Sequence, residues 1–419
     1  MPAPPPEPRA TRPSRGRADQ GGMRAANLAL VARTIYAAPT PLSRADVAAA
    51  TQVTRSTASR LVDDLVAAGI VAELTPTKGS GPGRPRTPLV PDGSRYAALG
   101  LQLNVGLLAA RVIDPTGAVR SEVLAADDLR DSDPPSVLAR LADLAAEAVR
   151  GAGHPELVGA GLALPGIVDE GTGTLLRAPN LRWTDVPVAD LCDLRGIAPA
   201  ARRGRLRVGN EADLAAYATA TDRPGRPGPL GTFIYLSGEI GIGGAIVIDG
   251  QVMRGTHGWA GEIGHVSVDV TGPPCTCGSR GCLELYAGQR GLFGTAGLDP
   301  RAGVAELSAA RAAGDKAAAA AVTAAGWALG IALASIINVV DVPAIVLGGH
   351  LRELAPLVRD DLLDTLSERV LSARWVTPTL SVAEPDAAAG ATGAAYRELE
   401  RLLDDPAGFH AASAATSHP

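Results

Sequence analysis

Cysteines and long apolar segments are both scarce in this sequence, and each shortage excludes a class of protein. Only 4 of the 419 residues are cysteine, too few for a disulfide-rich secreted domain. No stretch of about eighteen uninterrupted apolar residues is present, and residues 1–21 lack the apolar segment of a secretory signal. Because hydrophobic residues still make up 46% of the chain, we expect well-packed domains in the cytoplasm, with reduced thiols and no membrane contact.

Charge is unevenly distributed along the chain. The formal net charge is -5, yet residues 1–95 contain 13 Lys and Arg against 7 Asp and Glu. A segment of net charge +6 therefore precedes a remainder of net charge -11. A basic head on an acidic body indicates that only the head meets a polyanion such as DNA.

Composition divides the chain into four parts. Residues 1–21, rich in Pro and Arg, and residues 405–419 have few large apolar side chains, so we expect a flexible arm and a flexible tail. A stretch rich in proline and glycine at residues 76–93 marks a boundary or an extended excursion, and we place a DNA-binding domain at residues 22–92. Residues 93–404 alternate apolar strands with Ala- and Leu-rich helices, which predicts an α/β body. Two of its passages begin with a strand hairpin, which indicates two similar lobes.

Three short helices are predicted in the basic head. Apolar residues at helical spacing begin after Met23. Ser43, with Asp46 three residues later, is a good N-cap for a second helix of about two turns. Thr54 caps a third helix, which ends at Gly69. Helices of this number, length and order make a helix-turn-helix.

The third helix has a polar face suited to reading DNA. Four side chains near its N-terminus lie opposite the apolar stripe: Arg55, Ser56, Ser59 and Arg60. A recognition helix presents this end to base edges in the major groove. Two apolar segments then pair as the strands of a wing, and its basic residues are placed to reach phosphates or the minor groove: Lys78, Arg84 and Arg86. We therefore predict a winged helix. The alternative is a helical dimerisation module, and Gln52 departs from the pattern because this turn usually holds glycine.

Three of the four cysteines lie in the segment CTCGSRGC, residues 275–282. In a reducing compartment, clustered cysteines favour metal binding over a disulfide. A histidine ten residues earlier completes a donor set for a closed, structural zinc site, made by His265, Cys275, Cys277 and Cys282. Gly278 and Gly281 allow the loop to fold tightly around one ion. The remaining thiol, Cys192, is isolated and is expected to be a small buried apolar residue.

The cysteine segment belongs to a longer pattern. AGEIGHVSVDVTGPPCTCGSRGCLELYAG, residues 260–288, resembles the signature of the ROK family, which groups bacterial sugar kinases with repressors of the same fold. Further family elements follow the expected order: LALPGIVDEGTGTLLRAPNLRW at 162–183, VGNEADLAAYA at 208–218, YLSGEIGIGGAIV at 235–247 and IVLGGHL at 345–351. The resemblance covers residues 23–400. It implies a two-lobed α/β sugar-kinase fold of the actin-like, ribonuclease H-like type, preceded by a winged helix-turn-helix domain.

The resemblance also implies a sugar pocket beside a structural zinc ion. In the family, the metal orients a loop so that Glu262 and Glu284 accept hydrogen bonds from sugar hydroxyls. His265 binds the metal through one ring nitrogen and offers the other to the sugar. Further sugar-facing positions correspond to Asn180, Asn210 and Glu211. Carboxylates and amides suit hydroxyl-rich ligands because a ligand that cannot return the bonds leaves them unpaired. The alternatives are surface charges for the two glutamates of the loop and a turn for the first asparagine.

Three segments depart from the kinases of the family. Gln102 replaces an aspartate, and Val105 replaces a glycine that would approach a phosphate closely. Glu211 stands at the catalytic aspartate, and a shift of a carboxylate by about 1 Å costs roughly 100-fold in rate. Glu239 stands in a glycine-rich phosphate turn, where a carboxylate repels phosphate. We therefore expect that sugar recognition is kept and phosphoryl transfer is lost.

These observations favour a sugar-responsive transcription regulator of the repressor type. Its partners would be an operator and a sugar effector, and it would act as a homodimer or homotetramer because half-sites are read by symmetric pairs. One alternative is an active ATP-dependent sugar kinase with an accessory DNA-binding domain. Another is an interaction protein whose body binds a partner protein in place of a sugar.

Overall fold

The computed structural model describes residues 20–76, 86–197, 206–299 and 302–409. The predicted arm up to residue 19, the wing residues Lys78 and Arg84, and the tail from residue 410 lie outside this range.

The head is a three-helix domain with a two-stranded wing. Its elements are α1 Gln20–Ala37, α2 Arg44–Thr51, α3 Arg55–Ala67, β1 Val71–Glu73 and β2 Leu89–Pro91. Ser43 caps α2 through a reciprocal capping box, and Thr54 caps α3, as predicted. Gln52 has φ 58°, so this turn does impose the left-handed angle on a residue that is not glycine. Helix α1 begins within the segment predicted as a flexible arm, two residues before the predicted domain start.

The first lobe of the body is a five-stranded mixed sheet with helices and a small three-stranded sheet beside it. Its elements are β3 Tyr96–Leu103, β4 Leu107–Ile113, β5 Val119–Ala126, α4 Pro134–Gly151, β6 Glu156–Leu164, β7 Ile167–Asp169, β8 Thr174–Ala178, β9 Trp183–Val186, α5 Val188–Leu191, β10 Arg207–Asn210, α6 Glu211–Ala220, β11 Thr221–Arg223 and β12 Arg226–Pro227. The main sheet has the order β10-β6-β3-β4-β5.

The second lobe repeats this plan. Its elements are β13 Phe233–Gly238, β14 Ile242–Ile248, β15 Gln251–Val252, a 3-10 turn Ile263–His265, α7 Glu284–Ala287, α8 Gln289–Thr295, α9 Val304–Ala312, α10 Lys316–Val340, β16 Ala344–Gly348, α11 Gly349–Arg369 and β17 Thr379–Val382. Its sheet has the order β15-β14-β13-β16-β17. The last helix, α12 Ala389–Asp404, returns to the sheet of the first lobe. In both lobes three antiparallel strands are followed by two parallel ones. The duplicated order confirms the predicted two-lobed α/β body.

Helix α12 connects the body to the head. Its first half packs against β3, β6 and α6. Its second half enters the hydrophobic cluster of the head, whose members include Val31, Tyr36, Leu65, Tyr96, Leu399, Leu402 and Leu403. The head is therefore packed onto the body through a common core.

Two further observations concern apolar segments. Within the segment predicted as a tail, residues 406–409 form a helical turn, and the Phe409 ring packs edge-on against Tyr96 with ring centroids 6.3 Å apart. Helix α10 is long and apolar enough to cross a membrane by length and composition. However, 61% of its most apolar window is buried inside the body, which is the pattern of a core helix.

Candidate functional site

A cleft of about 240 Å³ lies between the two lobes. Its walls come from the β3–β4 turn, the start of α6, the β13–β14 turn, the loop around the 3-10 turn, and the residues that lead into α12. Every predicted sugar-facing residue lines it: Asn180, Asn210, Glu211, Glu262, His265 and Glu284. The fold thus gathers side chains from four separate segments of the chain at one opening.

The predicted metal donors converge beside this cleft. The ligand atoms of His265, Cys275, Cys277 and Cys282 all lie within 4.8 Å of one another. The Sγ atoms of Cys277 and Cys282 are 3.7 Å apart, and Cys275 Sγ is 3.8 Å from His265 Nδ1. A tetrahedral ion with bonds of about 2.3 Å separates neighbouring sulfurs by roughly 3.8 Å. The four donor atoms are therefore close enough together to hold one metal ion, and all three thiols are free of disulfides.

The loop that carries the thiols is closed by glycine, as predicted. Gly278 has φ 102° and Gly281 has φ 59°. A side chain at residue 281 would also collide with the carbonyl oxygen of Asp269, 1.8 Å from the position of its Cβ.

Glu284 contacts both the metal cluster and the cleft. The Cys275 thiol donates to its Oε1 at 3.0 Å, and the same oxygen lies 3.4 Å from His265 Nδ1. Its other oxygen, Oε2, faces Gly241, where an added Cβ would lie only 2.5 Å away. The imidazole turns Nδ1 towards the cluster, so Nε2 is the nitrogen left for a ligand.

Asn180 faces the same glycine from the other lobe. Its Nδ2 would be 3.1 Å from a Cβ at Gly241. Glycine at this position therefore keeps the amide and the Glu284 carboxylate close to the β13–β14 turn. A side chain there would fill the cleft.

Asn210 caps the helix that forms the floor of the cleft. Its Oδ1 accepts from the backbone N–H groups of Ala212 at 2.8 Å and Asp213 at 3.2 Å, and its Nδ2 donates to the carbonyl of Gly166 at 2.9 Å. One amide hydrogen remains for a ligand. The side chain is thus chiefly a cap of α6, and it places Glu211, the first residue of that helix, in the cleft.

Two carboxyl groups, those of Glu211 and Glu239, line the same cleft. Desolvation, together with the neighbouring Glu239, raises the pKa of Glu211 to about 8. Desolvation also raises the pKa of Glu239 to about 7. Burial raises the pKa of Glu262 as well, with a further contribution from Glu284. The cleft therefore destabilises negative charge.

A second helix cap in the cleft was not predicted. Gln102, identified only as a replacement for an aspartate, accepts a hydrogen bond at 3.2 Å from the backbone N–H of Ala391, in the first turn of α12. Asp386 also lines the cleft, and its charge is paired with Arg111 at 2.9 Å. No local motif marks residues 386–390, since they become site residues only when α12 folds back against β3.

The predicted DNA-reading face of α3 is exposed. Arg55, Ser56 and Arg60 are exposed and Ser59 is partly buried. Arg55 and Arg60 form no ion pair with another residue that the structure describes. Arg44, by contrast, pairs with Asp63 at 2.6 Å and Glu73 at 2.9 Å and thereby ties α2 to α3 and the wing. On the wing, Arg86 is exposed and lies 3.9 Å from Asp46.

A polar junction links the head to the body. Arg33 of α1 lies 3.2 Å from Glu400 of α12 and also pairs with Asp404. Glu400 Oε1 accepts from the Tyr217 hydroxyl at 3.3 Å and from the backbone N–H of Gly225 at 3.0 Å. Tyr217 is near the end of α6, the helix whose first residue lies in the cleft.

Fold and site together define a class: a winged-helix protein whose body has the two-lobed architecture and cleft of a sugar kinase. The profile of the ROK family matches residues 118–399, and a profile of the MarR family matches residues 29–80. The chain therefore belongs to the ROK family, with a MarR-like winged helix in front.

Relatives include both regulators and kinases. A putative xylose repressor of Caldicellulosiruptor sp. Rt8B.4 is 32% identical over 64% of this chain, and the match spans 65% of that protein. The xylose repressor of Caldicellulosiruptor bescii is 26% identical over 87% of this chain and 93% of its own length. A crystal structure of a ROK family transcriptional regulator, a homologue of the E. coli MLC protein, has a TM-score of 0.74 at 23% identity and covers 94% of this chain and all of that one. A ROK hexokinase from Thermus thermophilus has a TM-score of 0.57 at 30% identity, and the match covers 74% of this chain and 99% of the hexokinase.

Proposed function

We propose that this protein is a sugar-responsive transcriptional repressor that acts in the cytoplasm as a homodimer or homotetramer. The observation that carries this proposal is the position of α12. Its first residues line the cleft, and its last residues form part of the hydrophobic core of the head. A ligand that changes the cleft therefore acts on a helix that also supports the DNA-reading domain. The xylose repressors that match most of this chain support the same function.

The metal of the Cys₃His cluster is proposed to be zinc, held by His265, Cys275, Cys277 and Cys282. Three thiolates and one imidazole, with no position left open, are the donor set of a structural zinc site. Bound zinc would supply charge neutralisation for the thiolates and would fix the loop. Glu284 and His265 would then be held in the cleft by their contacts with the cluster.

Sugar binding is proposed at the end of the cleft next to this cluster. Glu284 and Glu262 would accept hydrogen bonds from hydroxyls, as would Glu211 at the floor. Asn180 and the free nitrogen of His265 would donate to them, and Asn210 would contribute its remaining amide hydrogen. The hydroxyls of a sugar could thus be paired from both lobes, which favours closure of the lobes around it.

We also propose that phosphoryl transfer is lost. The reason lies in the helix N-termini at the cleft, which a kinase would use to hold the nucleotide phosphates. The N–H groups at the starts of α6 and α12 are already bonded to Asn210 and Gln102. A kinase needs such backbone donors for the nucleotide phosphates. Because some relatives are kinases, the second candidate function is that of an active sugar kinase. A coupled assay with ATP, magnesium and a panel of hexoses and pentoses distinguishes the two, and we expect no sugar-dependent ADP release.

The decisive experiment measures DNA binding with and without sugar. Fluorescence anisotropy with operator DNA, obtained by selection from random duplexes, should show specific binding that a free monosaccharide shifts by about tenfold or more. The same sugar should raise the melting temperature of the protein. DNA binding that no sugar changes, together with no thermal shift across the panel, would contradict the proposal and favour an interaction protein.

A further inference from the structure

A single carboxylate joins three parts of the molecule. Glu170 directly follows β7 in the first lobe, and guanidinium groups from two other elements bind it. Arg254, which follows β15 in the second lobe, donates to its two oxygens at 2.7 and 2.9 Å. Arg397 of α12 donates to the same two oxygens at 3.2 and 3.1 Å. Because both pairs are bidentate, the position of one guanidinium restricts how the carboxylate can receive the other.

The shared carboxylate is held in its charged form. Burial raises the pKa of Glu170, but hydrogen bonds from Arg397 and Arg254 lower it below its ordinary value. The Glu170 side chain is 30% exposed and that of Arg397 25%, so water screens this pair less than it screens a pair on the open surface. Removal of the charge would leave two neighbouring guanidinium groups without their common anion.

Arg254 belongs to the loop that carries Glu262 into the cleft. This loop, residues 254–262, is closed by a hydrogen bond of 3.2 Å from the N–H of Ala260 to the carbonyl of Arg254. Glu262, at the other end of the loop, lines the cleft. A ligand that bonds Glu262 therefore acts on the same short loop as the ion pair with Glu170.

Arg397 lies on α12 between the cleft and the head. The helix begins beside the cleft, and Glu400, three residues after Arg397, forms the ion pair with Arg33 of the head. Gly209, in the last turn of the strand β10, leaves room for the network: a Cβ there would lie 3.2 Å from Arg397 Nη1 and 3.4 Å from Glu170 Oε1. The network therefore packs against the strand that leads to the floor of the cleft.

We propose that Glu170 couples the two lobes to the head, so that a change at Glu262 in the cleft reaches α12 through Arg254, Glu170 and Arg397. This inference rests on the proposed sugar-sensing function and deepens it, because it names the side chains through which sugar changes the affinity for DNA. Glu170 is a positioning residue, since it does not line the cleft. Because coupling between two ligands is reciprocal, the same contacts carry the effect of DNA on sugar affinity.

The test measures this coupling in the full-length, metal-loaded protein. Anisotropy titrations with selected operator DNA are made with and without saturating monosaccharide, xylose first and then the hexoses of the panel. Glu170→Gln removes the charge at nearly constant size, so it should reduce the effect of sugar on DNA affinity by about fivefold or more. Isothermal titration of the same sugar, with and without DNA, should show an equal reduction. A folded Glu170→Gln protein with wild-type coupling would overturn this inference and leave sugar sensing intact, whereas absence of any sugar effect in the wild-type protein would contradict both.

A double-mutant cycle distinguishes one route from two independent ion pairs. Arg254→Gln and Arg397→Gln each break one side of the network, so each should reduce the coupling as much as Glu170→Gln does. The double variant should reduce it no further, because a single route is already interrupted. Arg254 is 42% exposed, so Arg254→Gln provides the test even if Glu170→Gln does not fold. Additive losses would show that the two arginines act separately, and would overturn the shared role of Glu170.

Trp259→Phe is the matched control. The Trp259 indole donates to the carbonyl of Val168 at 3.2 Å, which makes a second contact between the same loop and the first lobe. Phenylalanine keeps an aromatic ring and removes this donor, and the lost contact does not involve α12. The coupling should therefore stay within about twofold of the wild-type value. An equal loss in Trp259→Phe and Glu170→Gln would show that any bridge between the lobes suffices, and would remove Arg397 and α12 from the explanation.

Discussion

Arg33 of the head lies 3.2 Å from Glu400 of the last body helix. Glu400 also accepts a hydrogen bond from Tyr217, which belongs to the helix that begins in the cleft with Glu211. The first helix of the head is thus connected to both helices that run from the cleft to the junction. A displacement of either helix on ligand binding would change the geometry of this ion pair.

Replacement of Glu400 should uncouple the two functions. In Glu400→Gln the ion pair with Arg33 is lost, while the cleft and the α3 face keep their residues. We expect the dissociation constants for sugar alone and for DNA alone to change less than about threefold, and the effect of sugar on DNA binding to fall by about fivefold or more. Anisotropy titrations with and without saturating sugar measure this effect. A variant with full coupling would show that the junction does not transmit the change.

Removal of the metal should weaken sugar binding and stability together. Cys277→Ser deletes a thiolate donor, so we expect about one zinc per chain in the wild-type protein and much less in the variant. Its melting temperature and its sugar affinity should both fall, because Glu284 and His265 are positioned by the cluster. Elemental analysis and thermal unfolding provide the measurements. Cys192→Ala is the matched control, since that buried thiol lies outside the cluster, and it should keep its zinc.

Arginines on α3 should be needed for DNA and not for sugar. Arg55→Ala and Arg60→Ala each remove an exposed guanidinium, so specific affinity should fall by about 1–3 kcal/mol for a base contact. Arg311→Ala removes an exposed arginine from α9 of the body and should leave operator affinity unchanged. Sugar affinity should remain at the wild-type value in all three variants. Loss of both affinities in Arg60→Ala would contradict a separate reading head.

The carboxyl groups of the cleft should make stability depend on pH. Glu211 and Glu239 have a pKa near 4.5 when unfolded and about 8 and about 7 when folded. The folded state therefore binds more protons than the unfolded state between these values, so the free energy of unfolding falls as pH rises from about 4.5 to about 8.

Glu239→Gln removes one of these titrations. Its melting temperature should exceed that of the wild-type protein at pH 8.5 and approach it at pH 5, where the wild-type carboxyl is protonated. Differential scanning calorimetry across this range tests the sign. An equal difference at both pH values would mean that ionisation of Glu239 does not destabilise the folded protein.

Short-range features were the most predictable. Ser43 and Thr54 act as caps within three residues of themselves, and Gln52 takes the left-handed angle that its turn requires. The metal cluster was also predictable, because three of its four donors lie within eight residues and thiolates have few other uses in a reducing compartment. The sugar-facing residues could be named only through a family resemblance, since no spacing rule connects Asn180 with Glu284.

The amino-acid sequence by itself determined the caps of α2 and α3, the donor set of the candidate metal site and the alternation of strands and helices. These depend on side-chain chemistry within one or two turns of the backbone, and such interactions act before the chain has folded. Only the tertiary structure decided that Gln102 caps a helix 289 positions away, that Glu211 and Glu239 share one cleft, and that α12 supports both cleft and head. Those relationships arise from the packing of two sheets and a shared helix, in which residues far apart in the chain become neighbours because burial of apolar surface brings their elements together.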